Sequence, residues 1–503
     1  MLLVLVREDY RVGFCAMVRK FSEGYTGNLR YQARLRDVRA RVVYYLCVFG
    51  PSLLYLTILG GLLLPSVEEH INSLSLVEVA IACVILVSLA VHYSVSMAGL
   101  VLFGAPSPRN RANCRRLSEQ GWDSSKRLIF CFVSQGVQER VLAQSVQQLL
   151  ALVLESGLKF QVEVVVDSAE LSDTFFSHPS ITVIRVPDSY STVRGAKFKA
   201  RSLCYAAKER SRRERNLSKT WVVHCDEDTV ITQESLAGIA EFLGRPASDR
   251  MCGAGEIKYN LDLPTARPLL SVVDYHRTGE DLGRYRLQFA GFGAALFGAH
   301  GSFTVVPAVI EEQIQFDHGP RGSIAEDIYF ALRLRELGIP LVWIAGYVRE
   351  QSPGNLRNFF QQRARWIRGL LNACFDSRFS LGNRIVLLAY LAMWRTSIIA
   401  GIALLAVLLT EPGASMVLAL WGLDMASMAT VVLVGTLRNF EEDQRGHPIA
   451  ACVAGVGVLL LTPVVCLLET AAVAYALFAE RDTFFVVEKS PIPAATIPSR
   501  ALS

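Results

Sequence analysis

Apolar positions along the chain fall into long unbroken runs at its two flanks and into short runs separated by polar turns in its middle. The first long run is VVYYLCVFGPSLLYLTILGGLLLP, residues 42–65, and the second spans about 79–103. Neither contains Lys or Arg, and each approaches the ~20 residues that cross a bilayer as a helix, so both predict transmembrane helices. Apolar runs return at about 385–409, at 414–437 and at 449–477. The last carries Pro463 near its middle and Glu469, which predicts either one tilted span or a re-entrant pair, with a protein or interfacial neighbour for the carboxylate.

Between about Pro106 and Asn383 the pattern is that of alternating strands and helices. LIFCFVSQG reads as a strand ending in a glycine turn, followed by the helical QERVLAQSVQQLLALVLESG. FQVEVVVD and ITVIRVPD read as further strands, AKFKARSLCYAAKER as a helix, and KTWVVHCDEDTV as a strand running into an acidic cluster. Apolar strands joined by helices predict an α/β domain with a mostly parallel sheet, whose ligand lies beyond the C-terminal strand ends. Asp167, Asp226 and Asp228 fall there.

Composition sharpens the picture. The 503 residues are 51% hydrophobic and only 19% charged, with a mean hydropathy of +0.32, which excludes disorder and a simple water-soluble enzyme as whole-chain descriptions. The net charge of +5 is too weak to argue for nucleic acid. Its distribution carries more: nine Lys or Arg precede residue 42, the 66–76 loop has none, and RNRANCRR follows the second run. This pattern places the N-terminus and the middle domain in the cytosol. The 11 cysteines are scattered, with no CxxC pair, which reads as buried, reduced thiols.

Candidate chemistry sits in three places. Asp226 and Asp228 are an i, i+2 pair that in extended backbone shares one side, with Glu227 facing away. Hard oxygen ligands at that spacing suit Mg²⁺ or Mn²⁺ bridging a diphosphate, although a solvated turn has the same signature. His224 is a further ligand or, more simply, a hydrogen-bonded structural histidine. Glu326 and Asp327 precede the apolar helix of GSIAEDIYFALRLRELG; they are either caps or a general base for an attacking hydroxyl. In NLRNFFQQRARWIRGLL, Gln362, Arg365 and Trp366 share one helix face, and the flanking arginines equally suit an interfacial helix. No GxGxxG follows the first strand and no GxxxxGK[ST] occurs.

Taken together, strand-end Asp167, the DxD at 226–228, the acidic pair ending at Asp327 and QRARW at 362–366 appear in the order seen in membrane-embedded inverting glycosyltransferases of family 2, the group of cellulose, chitin and hyaluronan synthases. RGAKFKARSL, HGSF, FDHGPRGSIAED and EQSPGNLRNFFQQRARWIRG resemble the egghead type of β-1,4-mannosyltransferase over roughly residues 125–372. The resemblance implies a cytosolic GT-A domain that transfers a hexose, mannose or glucose, from a UDP- or GDP-sugar with inversion. The acceptor is a lipid-linked or short glycan, or, as the alternative, the end of a polysaccharide that the helices extrude. An inactive receptor or scaffold of the same fold is a third reading. The implied roles are Asp167 on the nucleotide base or ribose, Lys199 near the nucleotide, Asp226 on the nucleotide sugar and Asp228 on Mg²⁺ or Mn²⁺. Asp327 is the implied base, with Gln362, Arg365 and Trp366 holding the diphosphate and closing the acceptor end. Ser134, Gln135 and Gly136 depart from the RG form of the egghead type, so GDP and UDP both stay open.

The expected organisation is a basic cytosolic segment at 1–41, two transmembrane helices at 42–104, the GT-A domain at 105–352 and an interfacial QxxRW region at 353–382. Three or four membrane helices at 383–479 and a tail at 480–503 complete it. Membrane lipids are expected partners, nucleic acid is not, and the oligomeric state is open.

Overall fold

The computed structural model describes residues 94–104, 126–156, 160–167, 176–214, 216–259, 268–392, 415–440, 448–478 and 487–491, with a few single positions before them. The 42–65 run, the N-terminal basic segment and most of the tail lie outside the described residues.

The middle domain is built on an eight-stranded sheet. Its strands are β1 (Arg127–Ser134), β2 (Phe160–Asp167), β3 (Ile181–Val186), β4 (Thr220–Asp226), β5 (Val230–Ile231), β6 (Cys252–Lys258), β7 (Thr304–Pro307) and β8 (Leu341–Arg349), in the order β3-β2-β1-β4-β7-β6-β8-β5. The first four pair in parallel. Beyond them the expected mostly parallel sheet becomes mixed, because β4–β7, β6–β7 and β5–β8 are antiparallel and only β6–β8 is parallel. The cause is local: β7 leaves directly from a loop at the C-terminal end of β4 and must run back down the sheet. Four residues of HGSFTVVP are too short a run to announce this in the sequence.

Strand alternation sorts the core. Leu128, Phe130 and Phe132 of β1, with Trp221, Val223 and Cys225 of β4, face one apolar cluster, while Cys131, Val133 and Val222 face the other. Helix α1 (Ser94–Phe103) precedes the sheet in the chain, and α2 (Glu139–Ser156) covers the first face with Leu142, Val146, Leu149 and Val153 at helical spacing. Helix α3 (Phe198–Arg213) covers the second with Ala200, Leu203 and Cys204. Helix α4 (Gln233–Leu243) starts at Thr232, whose side chain and that of Ser235 bond each other's backbone N–H groups as a capping box. The described cysteines 131, 204, 225, 252, 374 and 466 are free, and all but the last are buried, as expected for reduced thiols.

The remaining helices are α5 (Pro268–Glu280), α6 (Ala308–Ile314), α7 (Glu326–Glu336), α8 (Leu356–Cys374), α9 (Leu381–Ala392), α10 (Ser415–Phe440) and α11 (Pro448–Phe478), of which α5, α7, α8, α9 and α11 reach the site. Of these, α5 and α10 meet backbone to backbone: a Cβ on Gly435 would sit 1.9 Å from the carbonyl oxygen of Tyr275. Small residues allow such close approach between apolar helices. The end of α10 is tied to the sheet by Arg438 on Glu256 (2.8 Å) and by Asn439, whose side-chain oxygen accepts from Tyr259 N (2.7 Å).

Among the described residues no single helix is long and apolar enough to cross a membrane. A pair of segments within α11, Gly455–Thr462 and Val464–Phe478, passes together with a bend of 43° at position 463, where the sequence has the helix-kinking proline. Of the second run only α1 is described, and of the third only its start in α9.

Candidate active site

Strands β1, β2 and β4 all end at one cavity of about 240 Å³, and its wall contains Asp167, Lys199, Asp226, Asp228, Asp327, Gln362, Arg365 and Trp366 from among the residues singled out from the sequence. Parallel strands end their backbone pairing here, leaving room for a ligand. Two bulky residues beside it, Phe198 and Phe303, hold left-handed backbone angles (φ 55° and 51°). Such conformations cost about 1–3 kcal/mol each and persist only where the surroundings enforce them. Phe198 delivers Lys199, and Phe303 closes the loop that carries His300, Gly301 and Ser302.

At the β2 end of the cavity, Asp167 closes the strand and is paired with Arg201 of α3. Arg201 also donates to the carbonyl of Tyr190 at 2.9 Å. Ser134 Oγ accepts from Gly136 N (2.9 Å) and donates to Glu227 (2.6 Å). Glu227 therefore lines the same cavity as its neighbours, against the expectation that it faces away. The strand stops at Asp226, and residues 227 and 228 form a turn, so alternation no longer applies. Burial pushes the Glu227 carboxyl up to about 7, with the Ser134 hydrogen bond opposing and Asp228 adding to the rise.

The DxD acids have separate partners. Asp226 pairs with Lys199; burial would raise its carboxyl, but Lys199 overrides this and holds it below the usual range. Asp228 is buried, accepts from Gln351 N (2.9 Å), and pairs with Lys489 at 2.7 Å. Glu350, whose carboxyl burial raises to about 7 with help from Asp228, accepts from Thr229 Oγ1 (3.1 Å) and Ser302 Oγ. No group of three or more His, Cys, Asp or Glu among the described residues could hold a metal unaided. One or two hard carboxylates are what a Mg²⁺ or Mn²⁺ arriving with a diphosphate requires, so Asp228, with Asp226 beside it, fits such a cation.

Sequence reasoning missed Lys489. The segment 487–491 is docked by Gln138, whose amide donates to Val487 O (2.9 Å) and accepts from Lys489 N (2.6 Å). Gln351 bonds Ser490 in both directions, at 2.6 and 2.9 Å. Lys489 stays charged because the pull of Asp228 and Glu350 outweighs the burial that would lower its pKa. Nothing local marks this lysine, which lies 261 residues from its partner.

Glu326 and Asp327 lie in the first turn of α7, not before it, and neither residue preceding them supplies a side-chain cap. Glu326 approaches Lys199 at 3.4 Å, and Asp327 accepts from Ile328 N at 2.8 Å. Burial, followed by the charge of Glu326, pushes the Asp327 carboxyl up to about 6 against the pull of Lys199. His224 does not line the main cavity. It is buried behind it, 3.3 Å from Glu311 and edge-on to Phe316, with its ring held neutral: burial, with Arg210 and Lys199, lowers its pKa to about 3. The ring makes no hydrogen bond, so the expected hydrogen-bonded role is replaced by packing.

The QRARW face of α8 closes the opposite wall. Gln362 accepts from Arg363 (2.8 Å), and the Trp366 ring carries Arg277 at 4.4 Å and Arg363 at 4.5 Å. Arg363 is fully buried, between Asp274 (2.8 Å) and Glu469 (3.0 Å). It is not a snorkelling interfacial arginine; Glu469 has found the protein neighbour that its place in an apolar run demands. Farther along, the cavity is lined by Tyr285, Phe297, Leu370 and Tyr390.

A Lys-paired acid pair at strand ends, a raised carboxyl and an arginine-tryptophan helix face thus meet in one cavity. Residues 221–438 match the family described as glycosyl transferase family group 2, and the chain belongs to that family: it is an inverting hexosyltransferase. It is 30% identical over 366 residues to β-1,4-mannosyltransferase bre-3 of Caenorhabditis elegans, covering 71% of this chain and 78% of the relative. To β-1,4-mannosyltransferase egh of Drosophila melanogaster it is 31% identical over 339 residues, covering 67% and 72%. The mannosyltransferase PcManGT of Pyrobaculum calidifontis, solved in complex with GDP-Man and Mn²⁺, aligns over 78% of this chain and 98% of its own at 14% identity and a TM-score of 0.40.

Proposed function

We propose that the protein transfers mannose from GDP-mannose to a sugar hydroxyl of a lipid-linked or short glycan, forming a β-1,4 bond in a GT-A type domain. The observation that carries this reading is the meeting of Asp226, Asp228, Asp327 and the QRARW face in one cavity; the two mannosyltransferase relatives supply the sugar and linkage.

In this reading Asp167, with Arg201 beside it, holds the base or ribose, and Lys199 and Asp226 hold the nucleotide sugar. Asp228 would hold Mg²⁺ or Mn²⁺, which would supply positive charge to the leaving diphosphate. Gln362, Arg365 and Trp366 flank the diphosphate and the acceptor. The acceptor oxygen attacks the anomeric carbon opposite the diphosphate, the bond to the phosphate oxygen breaks with its electron pair leaving on GDP, and Asp327 takes the hydroxyl proton. One displacement inverts the anomeric carbon, so no second carboxylate need act as a nucleophile. A base raised to about 6 is ionised at neutral pH yet basic enough to accept that proton.

The domain boundaries expected from the sequence remain part of this proposal, as does a multi-pass arrangement with the catalytic domain in the cytosol. Rows of exposed apolar side chains support lipid contact: Leu381, Ile385 and Leu388 on α9, and Val456, Leu460 and Leu467 on α11. The test is a screen of UDP- and GDP-linked mannose and glucose on protein in nanodiscs, with nucleotide diphosphate release as the readout. GDP released from GDP-mannose alone is expected. Turnover confined to UDP-sugars would remove the donor assignment, and none with any donor would remove the enzyme reading.

A further inference from the structure

One histidine in the cavity wall is held in a way that the roles above do not use. The helix begun by α5 widens into a π-helical stretch at Asp281–Tyr285, a geometry that recurs at functional sites because it turns side chains out of the ordinary helical register. From it Asp281 and Tyr285 both reach His300. Asp281 Oδ1 lies 2.5 Å from His300 Nε2, and the Tyr285 ring is stacked on the imidazole at 4.3 Å and 25°. Asp281 is itself fully buried, and its other oxygen accepts from Ile257 N at 2.9 Å. With one carboxylate oxygen committed to a backbone N–H, the other is left to accept the His300 Nε2 proton. In the neutral imidazole this places the proton on Nε2 and leaves Nδ1 as a hydrogen-bond acceptor.

His300 Nδ1 makes no hydrogen bond among the described residues, and the side chain, 14% exposed, lines the cavity. Its position relative to the base follows from the next residue: a Cβ on Gly301 would lie 2.9 Å from Lys199 Nζ and 3.4 Å from Asp327 Oδ2. The imidazole, clamped on two sides, therefore stands one residue from a glycine whose missing Cβ would meet the proposed base.

We propose that His300 is an acceptor-binding residue whose Nδ1 receives a hydrogen bond from the sugar hydroxyl next to the attacking one, and that Asp281 is the positioning residue that holds its tautomer. The acceptor class is thus a sugar presenting two neighbouring hydroxyls, one directed to Asp327 and one to His300. This rests on the glycosyl-transfer reading above and specifies its acceptor.

The experiment uses octyl hexopyranosides and their 3-deoxy and 6-deoxy forms as acceptors for the full-length protein in nanodiscs. Donor binding is followed separately by calorimetry. In the wild type, the 3-deoxy form is expected to raise the acceptor KM by about tenfold, the size of one hydrogen bond. His300→Ala should raise the KM of the parent glycoside by a similar factor, with donor affinity within about twofold, and should show no further penalty for the 3-deoxy form. His300→Asn, which keeps an acceptor atom near the Nδ1 position, should recover part of the loss. Asp281→Asn should lose the discrimination too, because its amide must donate to Nε2 and turns Nδ1 into a donor. An equal deoxy penalty in wild type and His300→Ala overturns the inference, as does a loss confined to donor binding. Donor hydrolysis with transfer to none of the glycosides overturns it while leaving the donor half of the parent reading standing; absence of any donor turnover removes the parent reading itself.

Discussion

Asp327 and its neighbour Glu326 are of one charge, adjacent, and both in the cavity wall, so their roles divide on environment. Glu326 lies 3.4 Å from Lys199, whereas Asp327, by burial and the charge of Glu326, is lifted to about 6. Asp327→Asn is expected to cut transfer by at least ~10²-fold with donor affinity within a few fold, because only the proton acceptor is lost. Glu326→Gln measured in parallel would move the role to its neighbour if it alone collapses. The pH dependence has a defined sign: the base works ionised, so kcat/KM should fall as pH drops through about 6 and level off above it. Disappearance of that limb in the residual activity of Asp327→Asn would tie it to this carboxyl; an unchanged limb would assign it elsewhere. Asp228→Asn should weaken metal-dependent donor binding, measured by titrating GDP-mannose with Mn²⁺ and with excess EDTA. Full turnover in EDTA, with the variant unchanged, would remove the cation from the reading.

At the scale of elements, the arginine-rich helix α8 is a load shared between packing and site. Its Arg363 joins α5 through Asp274 and α11 through Glu469, so three helices from distant parts of the chain meet on one guanidinium. Removing a partner from a buried ion network leaves uncompensated charge, at a cost of about 3–5 kcal/mol. Arg363→Met should therefore lower the thermal midpoint in detergent clearly, while Arg357→Met on the exposed side of the same helix should stay within about 0.5 kcal/mol of wild type. Equal midpoints for the two variants would show that the network contributes no stability. The four strands legible as apolar runs, β1 to β4, are those in which apolar side chains recur over six to eight residues. The strand β6 contains four polar or glycine positions among its seven residues and β7 has only four residues, so neither carried a readable period.

For the whole molecule, late segments of the chain come back to the site: the described tail segment docks on Gln138, just after β1, and α10 and α11 pack on α5. The catalytic domain and the apolar helices are thus one packed unit, in which the cavity runs from strand ends to helices with exposed apolar rows. The distribution of basic residues predicts that this unit faces the cytosol. A cysteine introduced at Ser211, on α3, should resist an impermeant thiol reagent added to sealed cells and react after permeabilisation. Efficient labelling from outside, absent in the parent protein, would reverse the orientation.

The sequence by itself determined the α/β character of the middle region, the apolar flanks and the strand-end acids Asp167, Asp226 and Asp228, because hydrophobic period and strand ends are local properties, while Lys199 entered only through the family resemblance. Only the tertiary structure decided what those residues face. Glu227 turned inward where the strand ended, His224 was left packed behind the site, and Arg363 was drawn from a helix surface into a buried network. Lys489 reached Asp228, and Asp281 reached His300, through the order of strands and the packing of helices. Such partners are chosen by which chain segments the fold brings within a few ångströms, and no periodicity along the chain encodes that.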